Sequence, residues 1–177
     1  MKFAPLFTLY VLLILLLGAS CGTTRQDARA KFGDEPVTTF YLVRHAEKDY
    51  GRDPNLTKAG RERAERLREI LKNVDLAAVY STDTRRTQQT AAPTAEDHGL
   101  RVISYPASLL QELAEKLRTV YRGKKVLVVG HSNTTPALTN YLTETEDYPR
   151  FSELDYTNFY IVNLPRIGRP DVQKLRY

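Results

Sequence analysis

The sequence predicts an α/β protein, a three-layer α/β/α sandwich with a mostly parallel central sheet. From about residue 37 onward, short segments rich in β-branched and aromatic residues alternate with segments whose apolar residues recur at helical spacing. Parallel neighbouring strands need crossover connections, and the intervening helical segments supply them. A chain of 177 residues is long enough for one domain with a sizeable core.

The first half of the pattern contains two strands and two helices. The β-rich segments 37–43 and 77–80 predict the strands. The segment 57–72 predicts the first helix, which Thr57 can cap, and the segment 86–98 predicts the second. The apolar residues of the first helix fall on one side, which is expected to pack on the sheet: Ala64, Leu67, Ile70, Leu71 and Val74.

The second half adds further strands and helices. Residues 101–105 and 125–129 predict two short strands. The segment 108–121 predicts a helix capped by Ser108, and 136–142 predicts another, with a proline in its first turn. Two late β-rich segments are expected to add antiparallel strands to the sheet: 159–164 and 172–177.

The charge pattern argues against a nucleic-acid partner. The formal net charge is +5, and basic residues alternate with acids, as in the segment 61–66 (RERAER). Mixed signs at this spacing are typical of a solvated helix face. No basic run is interleaved with aromatic residues, so no nucleic-acid binding is expected. The small positive excess would attract anionic substrates.

Residues 1–21 predict an export signal rather than part of the fold. Lys2 precedes an uncharged stretch whose apolar core is shorter than the ~20 residues that span a bilayer as a helix. Cys21, the only cysteine, directly follows small residues and cannot form an internal disulfide. The stretch resembles a lipoprotein signal, in which Cys21 becomes the lipidated first residue. Plain cleavage and an uncleaved anchor are the alternatives.

Residues 22–36 are polar, charged and without apolar periodicity, which is typical of a flexible tether. The folded domain is then expected over residues 37–177. The signal and the tether together predict a membrane-anchored lipoprotein of the cell envelope, whose domain faces the outside of the cytoplasm. The membrane is thus an expected partner through the N-terminal lipid anchor.

Two of the three histidines follow predicted strands. His45 lies in the segment Arg44-His45-Ala46-Glu47, and His131 lies in Gly130-His131-Ser132. In open α/β sheets, ligands bind outside the carboxyl ends of the strands, so these two ends can share one crevice. An imidazole beside an arginine suits a nucleophile that handles an anion. The third histidine, His98, is expected to be solvated at a helix end.

A third strand end adds cationic groups. The segment 81–90 (STDTRRTQQT) places a strand end before arginines and a helix start. Helix N-termini and guanidinium groups both favour phosphate oxygens. The site assembled in this way contains two imidazoles and two guanidinium groups, with no thiol or serine elbow.

These segments together resemble the histidine phosphatase superfamily, also called the phosphoglycerate mutase-like family. Residues 44–47 (RHAE) resemble its Arg-His-Gly-Glu signature, with Ala46 in place of the glycine. Residues 81–90 match its second arginine motif, and 130–132 (GHS) match its second histidine motif. Residues 55–60 (NLTKAG) resemble its Leu-Thr-x-x-Gly segment. The likeness runs from about residue 37 to the last residue and implies a phosphoglycerate mutase-like fold.

The resemblance implies hydrolysis of a small phosphorylated substrate through a phosphohistidine. His45 is the implied nucleophile, and Arg44, Arg86 and His131 are implied to hold the phosphate. Arg86 takes this role, rather than its neighbour, because it stands three residues before Gln89 as the family pattern requires. No metal or cofactor is implied.

Two roles stay open at this stage. Glu112 is the candidate general acid, although it also fits an exposed helical glutamate, and Glu47 and Asp155 are less favoured alternatives. Asn133 either donates to the bound phosphate or caps the next helix. The tyrosines between residues 148 and 160 either line a pocket or pack in the sheet.

The short connection between Arg86 and His131 favours hydrolysis. Relatives that act as mutases usually carry a longer insertion there, which covers the site and keeps water out. Two alternatives are a phosphoglycerate mutase-type phosphotransferase and a non-catalytic phosphate-binding lipoprotein. The complete set of His45, both arginines and His131 argues against the binding protein, because a binder needs no nucleophile.

Overall fold

The computed structural model describes residues 36–177. The predicted signal segment 1–21, the predicted lipidation site at Cys21 and residues 22–35 of the predicted tether lie outside the described residues. Within residues 36–177, no helix combines the length and the apolarity needed to cross a membrane.

Strands and helices alternate as far as the fourth helix, and two strands follow it. In chain order the described elements are β1 (Thr38–Arg44), α1 (Lys58–Leu71), β2 (Leu76–Thr82), α2 (Arg85–Asp97), β3 (Val102–Tyr105), α3 (Leu110–Val120), β4 (Lys125–Gly130), α4 (Thr134–Thr143), β5 (Asn158–Leu164) and β6 (Asp171–Arg176). Each predicted strand and helix is present, with ends shifted by no more than two residues.

The strands of the described region form one mixed sheet in the order β3-β2-β4-β1-β5-β6. Strands β3, β2, β4 and β1 run parallel to one another, whereas β5 is antiparallel to β1 and β6 is antiparallel to β5. This arrangement confirms the predicted three-layer α/β sandwich with a mostly parallel sheet. The two late strands are antiparallel, as the sequence predicts.

The helices cover the sheet two to a face. Alternate residues of β1 point to opposite faces, so Phe40 and Leu42 join one core cluster and Val43 joins the other. The first cluster contains residues of α3 and α4: Leu113, Ala114, Leu117, Leu138 and Leu142. The second cluster contains residues of α1 and α2: Leu67, Leu71, Ala91 and Ala95. The helices cover the two faces of the sheet. The carboxyl ends of the parallel strands therefore lie together along one edge of the sheet.

Two local expectations are wrong. Ile70 is 48% exposed rather than packed on the sheet, because the buried stripe of α1 runs through Ala64, Leu67 and Leu71. Helix α3 is not capped by Ser108. The Leu109 backbone N–H donates to the carbonyl of Pro106 at 3.0 Å, so a turn holds this segment and the helix begins after it.

Helix α1 begins as predicted, and its first turn packs tightly against the segment after β1. The Thr57 hydroxyl accepts a hydrogen bond from the backbone N–H of Gly60 at 3.1 Å. The Thr57 backbone N–H donates to the carbonyl of Glu47 at 2.9 Å. A Cβ atom on Gly60 would lie 2.1 Å from that same carbonyl oxygen, so only glycine fits there.

We therefore expect Gly60→Ala to lower the free energy of unfolding by about 1–3 kcal/mol, because the added methyl must push apart two backbone segments. Urea denaturation followed by circular dichroism measures this change. Ala59→Ser, at the exposed neighbouring position of the same helix, is the matched control and should shift the value by no more than about 0.5 kcal/mol. Equal stability of Gly60→Ala and wild type would contradict the packing argument.

Candidate active site

Parallel pairing of β1 with β4 brings the two histidines together. Arg44 lies opposite Gly130 in the strand register, and the His45 backbone N–H donates to the carbonyl of Gly130 at 2.9 Å. The His45 and His131 rings are 5.5 Å apart between centroids and stand nearly edge to face. The two strand ends named from the sequence thus form one site at the carboxyl edge of the sheet.

Gly130 allows the first turn of α4 to pack against the end of β4. A Cβ atom on Gly130 would lie 2.6 Å from Oγ1 of Thr134. That hydroxyl accepts a hydrogen bond from the His131 backbone N–H at 2.8 Å. The neighbouring Thr135 hydroxyl donates to the carbonyl of Val43 at 3.0 Å. The glycine of the Gly-His-Ser segment is therefore a packing requirement of the site.

The orientation of the His45 ring is fixed by the backbone carbonyl of the next residue, Ala46. The residue is only 3% exposed, and its Nδ1 lies 2.8 Å from the carbonyl oxygen of Ala46. A carbonyl oxygen can only accept, so the hydrogen bond assigns the proton to Nδ1 and leaves the lone pair on Nε2. The Ala46 N–H in turn donates to the Thr90 hydroxyl at 3.0 Å, and that hydroxyl donates to the Arg86 carbonyl at 2.7 Å.

The second arginine motif holds the other segments in place. The Gln89 side-chain oxygen accepts from the backbone N–H of Leu56 at 2.8 Å, and its amide group donates to Oδ1 of Asn55 at 2.9 Å. Gln89 and Thr90 therefore tie the segment after β1 and the start of α1 to helix α2. This explains in physical terms why glutamine and threonine follow the arginine at this spacing.

His131 has the opposite tautomer. Its Nδ1 lies 3.4 Å from Nη2 of Arg86, and its Nε2 lies 2.9 Å from the Thr82 hydroxyl. A guanidinium group can only donate, so Nδ1 accepts and the proton is assigned to Nε2, which donates to Thr82. The Thr82 hydroxyl can then donate to that of Thr87 at 3.0 Å. Sequence reasoning did not identify Thr82 as a partner of the second histidine.

Both histidines are held neutral. Burial lowers the pKa of His45 to about 3, and the positive charges of Arg44 and Arg86 act in the same direction. Burial also lowers the pKa of His131 to about 4, with Arg86 and Arg44 again contributing. At neutral pH the site therefore combines two uncharged imidazoles with two guanidinium cations.

The Arg44 side chain is enclosed by the loop before β5. It is 1% exposed, and its Nη1 donates to the carbonyls of Ser152, Glu153 and Asp155 at 2.9, 3.0 and 3.1 Å. Its Nη2 donates to Oε2 of Glu153 at 2.8 Å. The Tyr156 ring covers the guanidinium group at 4.2 Å. The sequence pointed to tyrosines in this region but gave no signal for the carbonyls or for Glu153.

Arg86 lies in the first turn of α2. Its Nη1 is 3.7 Å from Oδ1 of Asp53, which also accepts the Arg85 backbone N–H at 3.0 Å. The Arg85 side chain is exposed, as expected from its position in the motif. Asp53 is a further neighbour that the sequence motifs did not identify.

Two buried donors in this site have no protein acceptor. They are the Nε atoms of Arg44 and Arg86. Buried donors normally have a hydrogen-bond partner, so a pair of orphans on two neighbouring cations calls for an explanation. A tetrahedral oxyanion fits both groups in charge and in hydrogen bonding. Within residues 36–177, no group of three or more His, Cys, Asp or Glu side chains is arranged to hold a metal ion.

The remaining predicted site residues lie apart from this network. Glu112 is exposed in the first turn of α3, and among residues 36–177 no hydrogen bond or ion pair links it to the site. Its role as general acid stays a prediction. Asn133 precedes α4 and is exposed, but its side chain makes no capping hydrogen bond. Asn133 thus occupies the N-cap position of α4 without a side-chain cap, and phosphate binding by Asn133 stays a prediction.

The two alternative acids are occupied elsewhere. The Glu47 carboxylate accepts hydrogen bonds from Arg63 at 2.6–3.0 Å. Burial would raise the pKa of Glu47, but these hydrogen bonds outweigh it and the pKa falls. The Asp155 carboxylate accepts from the hydroxyl and the backbone N–H of Thr157, which lowers its pKa. A carboxyl group with a lowered pKa is a poor proton donor at neutral pH.

Two further expectations are resolved by the packing. Tyr148 packs edge to face on Tyr160 of a core cluster, whereas the Tyr156 ring centroid lies 5.8 Å from that of His45. His98 is not freely solvated. Its two ring nitrogens lie 2.8 and 2.9 Å from the carbonyls of Thr94 and Val74, because the end of α2 packs on the turn after α1.

Comparison with known proteins gives a family match for part of the chain. Residues 40–115 match the profile of the histidine phosphatase superfamily, branch 1. The matched region contains the segments 44–47, 55–60 and 81–90 and ends before His131. No curated protein sequence gives a significant match to the chain.

Solved structures of several phosphatases are similar in fold. A mycobacterial glucosyl-3-phosphoglycerate phosphatase is 16% identical, with 79% of this chain and 99% of that chain covered and a TM-score of 0.67. The protein histidine phosphatase SixA, solved with tungstate, is 19% identical, with coverages of 78% and 96% and a TM-score of 0.64. A putative alpha-ribazole-5'-P phosphatase from Escherichia coli is 16% identical, with coverages of 79% and 96% and a TM-score of 0.66.

At these identities the solved structures establish a shared fold. The family match is independent of them because it comes from the sequence of residues 40–115. Together, the family match over residues 40–115 and the fold shared with these enzymes support a phosphatase.

Proposed function

We propose that this protein hydrolyses small phosphomonoesters through a phosphohistidine on His45, without a metal ion, in an exported domain tethered to a membrane. The observation that carries the chemistry is the hydrogen bond between His45 Nδ1 and the Ala46 carbonyl, which leaves a lone pair on His45 Nε2. This lone pair belongs to a neutral imidazole beside two guanidinium cations that each have an unpartnered buried donor. This combination supports His45 as a nucleophile beside groups that can hold an oxyanion.

The first step transfers the phosphoryl group to the enzyme. Arg44, Arg86 and His131 orient the phosphate, and the cations offset the charge on its equatorial oxygens. The Nε2 lone pair of His45 forms a bond to phosphorus while the ester P–O bond breaks. The leaving oxygen takes up a proton from a general acid or from water. The hydrogen bond from Nδ1 to the Ala46 carbonyl stabilises the positive charge that develops on the imidazole ring.

The second step returns the enzyme to its starting state. Water attacks phosphorus, the P–N bond breaks, and its electron pair returns to Nε2 of His45. One proton of the water is lost, and inorganic phosphate is released. The short connection between Arg86 and His131 supports attack by water over transfer to a second substrate. Two phosphatases of similar fold are named after small phosphorylated metabolites, which supports the proposed substrate class.

We expect His45→Ala to lower kcat for an artificial phosphomonoester such as p-nitrophenyl phosphate by about 10³-fold or more, because the covalent route is lost. A rapid alkaline quench during turnover should trap the phosphoryl group on His45, as mapped by mass spectrometry. Wild-type turnover should persist in the presence of a chelator.

The role of the Arg86 guanidinium group is tested by Arg86→Ala, with Arg85→Ala as the matched control. Only the former should lose activity, because the Arg85 side chain points to solvent. Phosphate binding without turnover would support a binding protein instead. Transfer to an added acceptor faster than to water would support a phosphotransferase.

The neutral histidines predict acid-sensitive stability. An unfolded histidine has a pKa near 6.5, whereas folded His45 has a pKa of about 3. Between these values the unfolded chain binds a proton that the folded protein does not. The stabilising contribution is present above pH 6.5 and falls by about 1.4 kcal/mol per unit as the pH drops below it.

Urea denaturation of wild type and His45→Gln at several pH values from 7 to 4 isolates this effect. The difference in free energy of unfolding between the two proteins should shift against wild type as the pH falls. A difference that is independent of pH would show that His45 is not held neutral.

The proposed membrane tether depends on the sequence of residues 1–36. Cys21→Ser should prevent lipid attachment, because the sulfur is the atom to which the lipid is joined. We expect metabolic labelling with a radioactive fatty acid to mark the wild type but not the variant, and the variant to leave the membrane fraction. Equal labelling of both proteins would exclude Cys21 as the attachment site. Retention of an unlabelled wild type in the membrane would support an uncleaved anchor.

A further inference from the structure

Glu153 connects the two segments that contain the histidines of the candidate active site, because it contacts both Arg44 and Ser132. Its Oε2 accepts from Nη2 of Arg44 at 2.8 Å, and its Oε1 accepts from the Ser132 hydroxyl at 2.7 Å. Ser132 directly follows His131. The Arg150 side chain also donates to Oε1. A carboxylate from the loop before β5 thus lies at the edge of the group of side chains that would hold a phosphate.

This carboxylate is ionised at neutral pH. Hydrogen bonds from Ser132 and Arg150, together with the charge of Arg44, lower the pKa of Glu153 to about 2. Its side chain is nevertheless 57% exposed. Glu153 also acts electrostatically on His131, in the direction opposite to Arg86 and Arg44. The site therefore contains a fixed negative charge among groups whose expected ligand is a dianion.

The position of Arg44 does not depend on this charge. Three backbone carbonyls accept from its Nη1, and the Tyr156 ring covers its guanidinium face. An amide in place of the carboxylate could still accept from Nη2. The charge of Glu153 can therefore be removed while the geometry of Arg44 is retained.

We infer that Glu153 is an internal anion that lowers the affinity of the site for phosphate, and so sets how tightly substrate and product bind. This inference rests on the proposed function, in which inorganic phosphate is the last product to leave. Two guanidinium groups in a buried site would otherwise hold that product tightly. Tight binding of a ground state does not speed the chemical step, and slow product release limits turnover.

The test measures binding of inorganic phosphate to the full-length chain by isothermal titration calorimetry at neutral pH. Glu153→Gln removes the charge and should bind phosphate about three- to tenfold more tightly than wild type, as expected for a nearby like charge near a protein surface. Glu153→Asp keeps the charge and should stay within about twofold of wild type. The gain in Glu153→Gln should shrink at high ionic strength, because exposed charges are screened.

The matched control is Glu69→Gln. Glu69 is an exposed glutamate of α1 that pairs with Arg68 and Lys72, with an exposed fraction close to that of Glu153. Its phosphate affinity should equal that of wild type. The inhibition constant of phosphate against p-nitrophenyl phosphate hydrolysis should fall in Glu153→Gln by the same factor as the dissociation constant.

The opposite results would overturn the inference. Unchanged or weaker phosphate binding by Glu153→Gln would show that Glu153 serves only to hold Arg44. An equal gain in phosphate affinity in Glu153→Asp would assign the effect to geometry rather than to charge. The absence of phosphate binding by both wild type and Glu153→Gln would also exclude the inference. The binding measurement needs no turnover, so a failure of His45 to carry the phosphoryl group would count against the proposed function alone.

Discussion

The parallel pairing of β1 with β4 is the constraint on which the rest of the site depends. The two strands run side by side in register, so the residues that follow them leave the sheet at the same level. The hydrogen bond from the His45 backbone to the Gly130 carbonyl extends this pairing one residue beyond β1. The imidazoles meet because their backbones are already adjacent. A slip of one residue would send the side chains to opposite faces of the sheet.

Buried threonines then lock the orientation of these groups. Thr90 connects the backbone of Ala46 to helix α2, and Thr134 receives the backbone N–H of His131. Thr82 accepts from the His131 ring. A hydroxyl can donate and accept at once, so each of these residues satisfies backbone or ring groups that burial would otherwise leave unpaired. The result is a network of buried polar groups, which is the kind of preorganisation that the proposed phosphoryl transfer would use.

Groups outside the two histidine motifs also set the charge of the site. Burial keeps both imidazoles neutral, so they do not add to the charge of Arg44 and Arg86. Glu153 offsets part of the remaining positive charge and faces solvent at the same time. The loop that contains Glu153 also encloses Arg44 through its carbonyls. The same segment therefore positions one cation and moderates the attraction between the site and an anion.

The sequence by itself determined the alternation of strands and helices and the two histidines after strand ends, and its resemblance to a known family pattern predicted Arg86 rather than Arg85 as a phosphate ligand. These features depend on local periodicity and on the spacing within short motifs. The sequence showed the Leu-Thr-x-x-Gly resemblance at residues 55–60, but the close approach of Gly60 to the Glu47 carbonyl is a finding of the structure. Only the tertiary structure decided which ring nitrogen of each histidine carries the proton, and that Arg44 is held by residues 152–155. Those partners are far apart along the chain, so no local pattern records their contacts, and a tautomer is set by the acceptor or donor that folding places beside it.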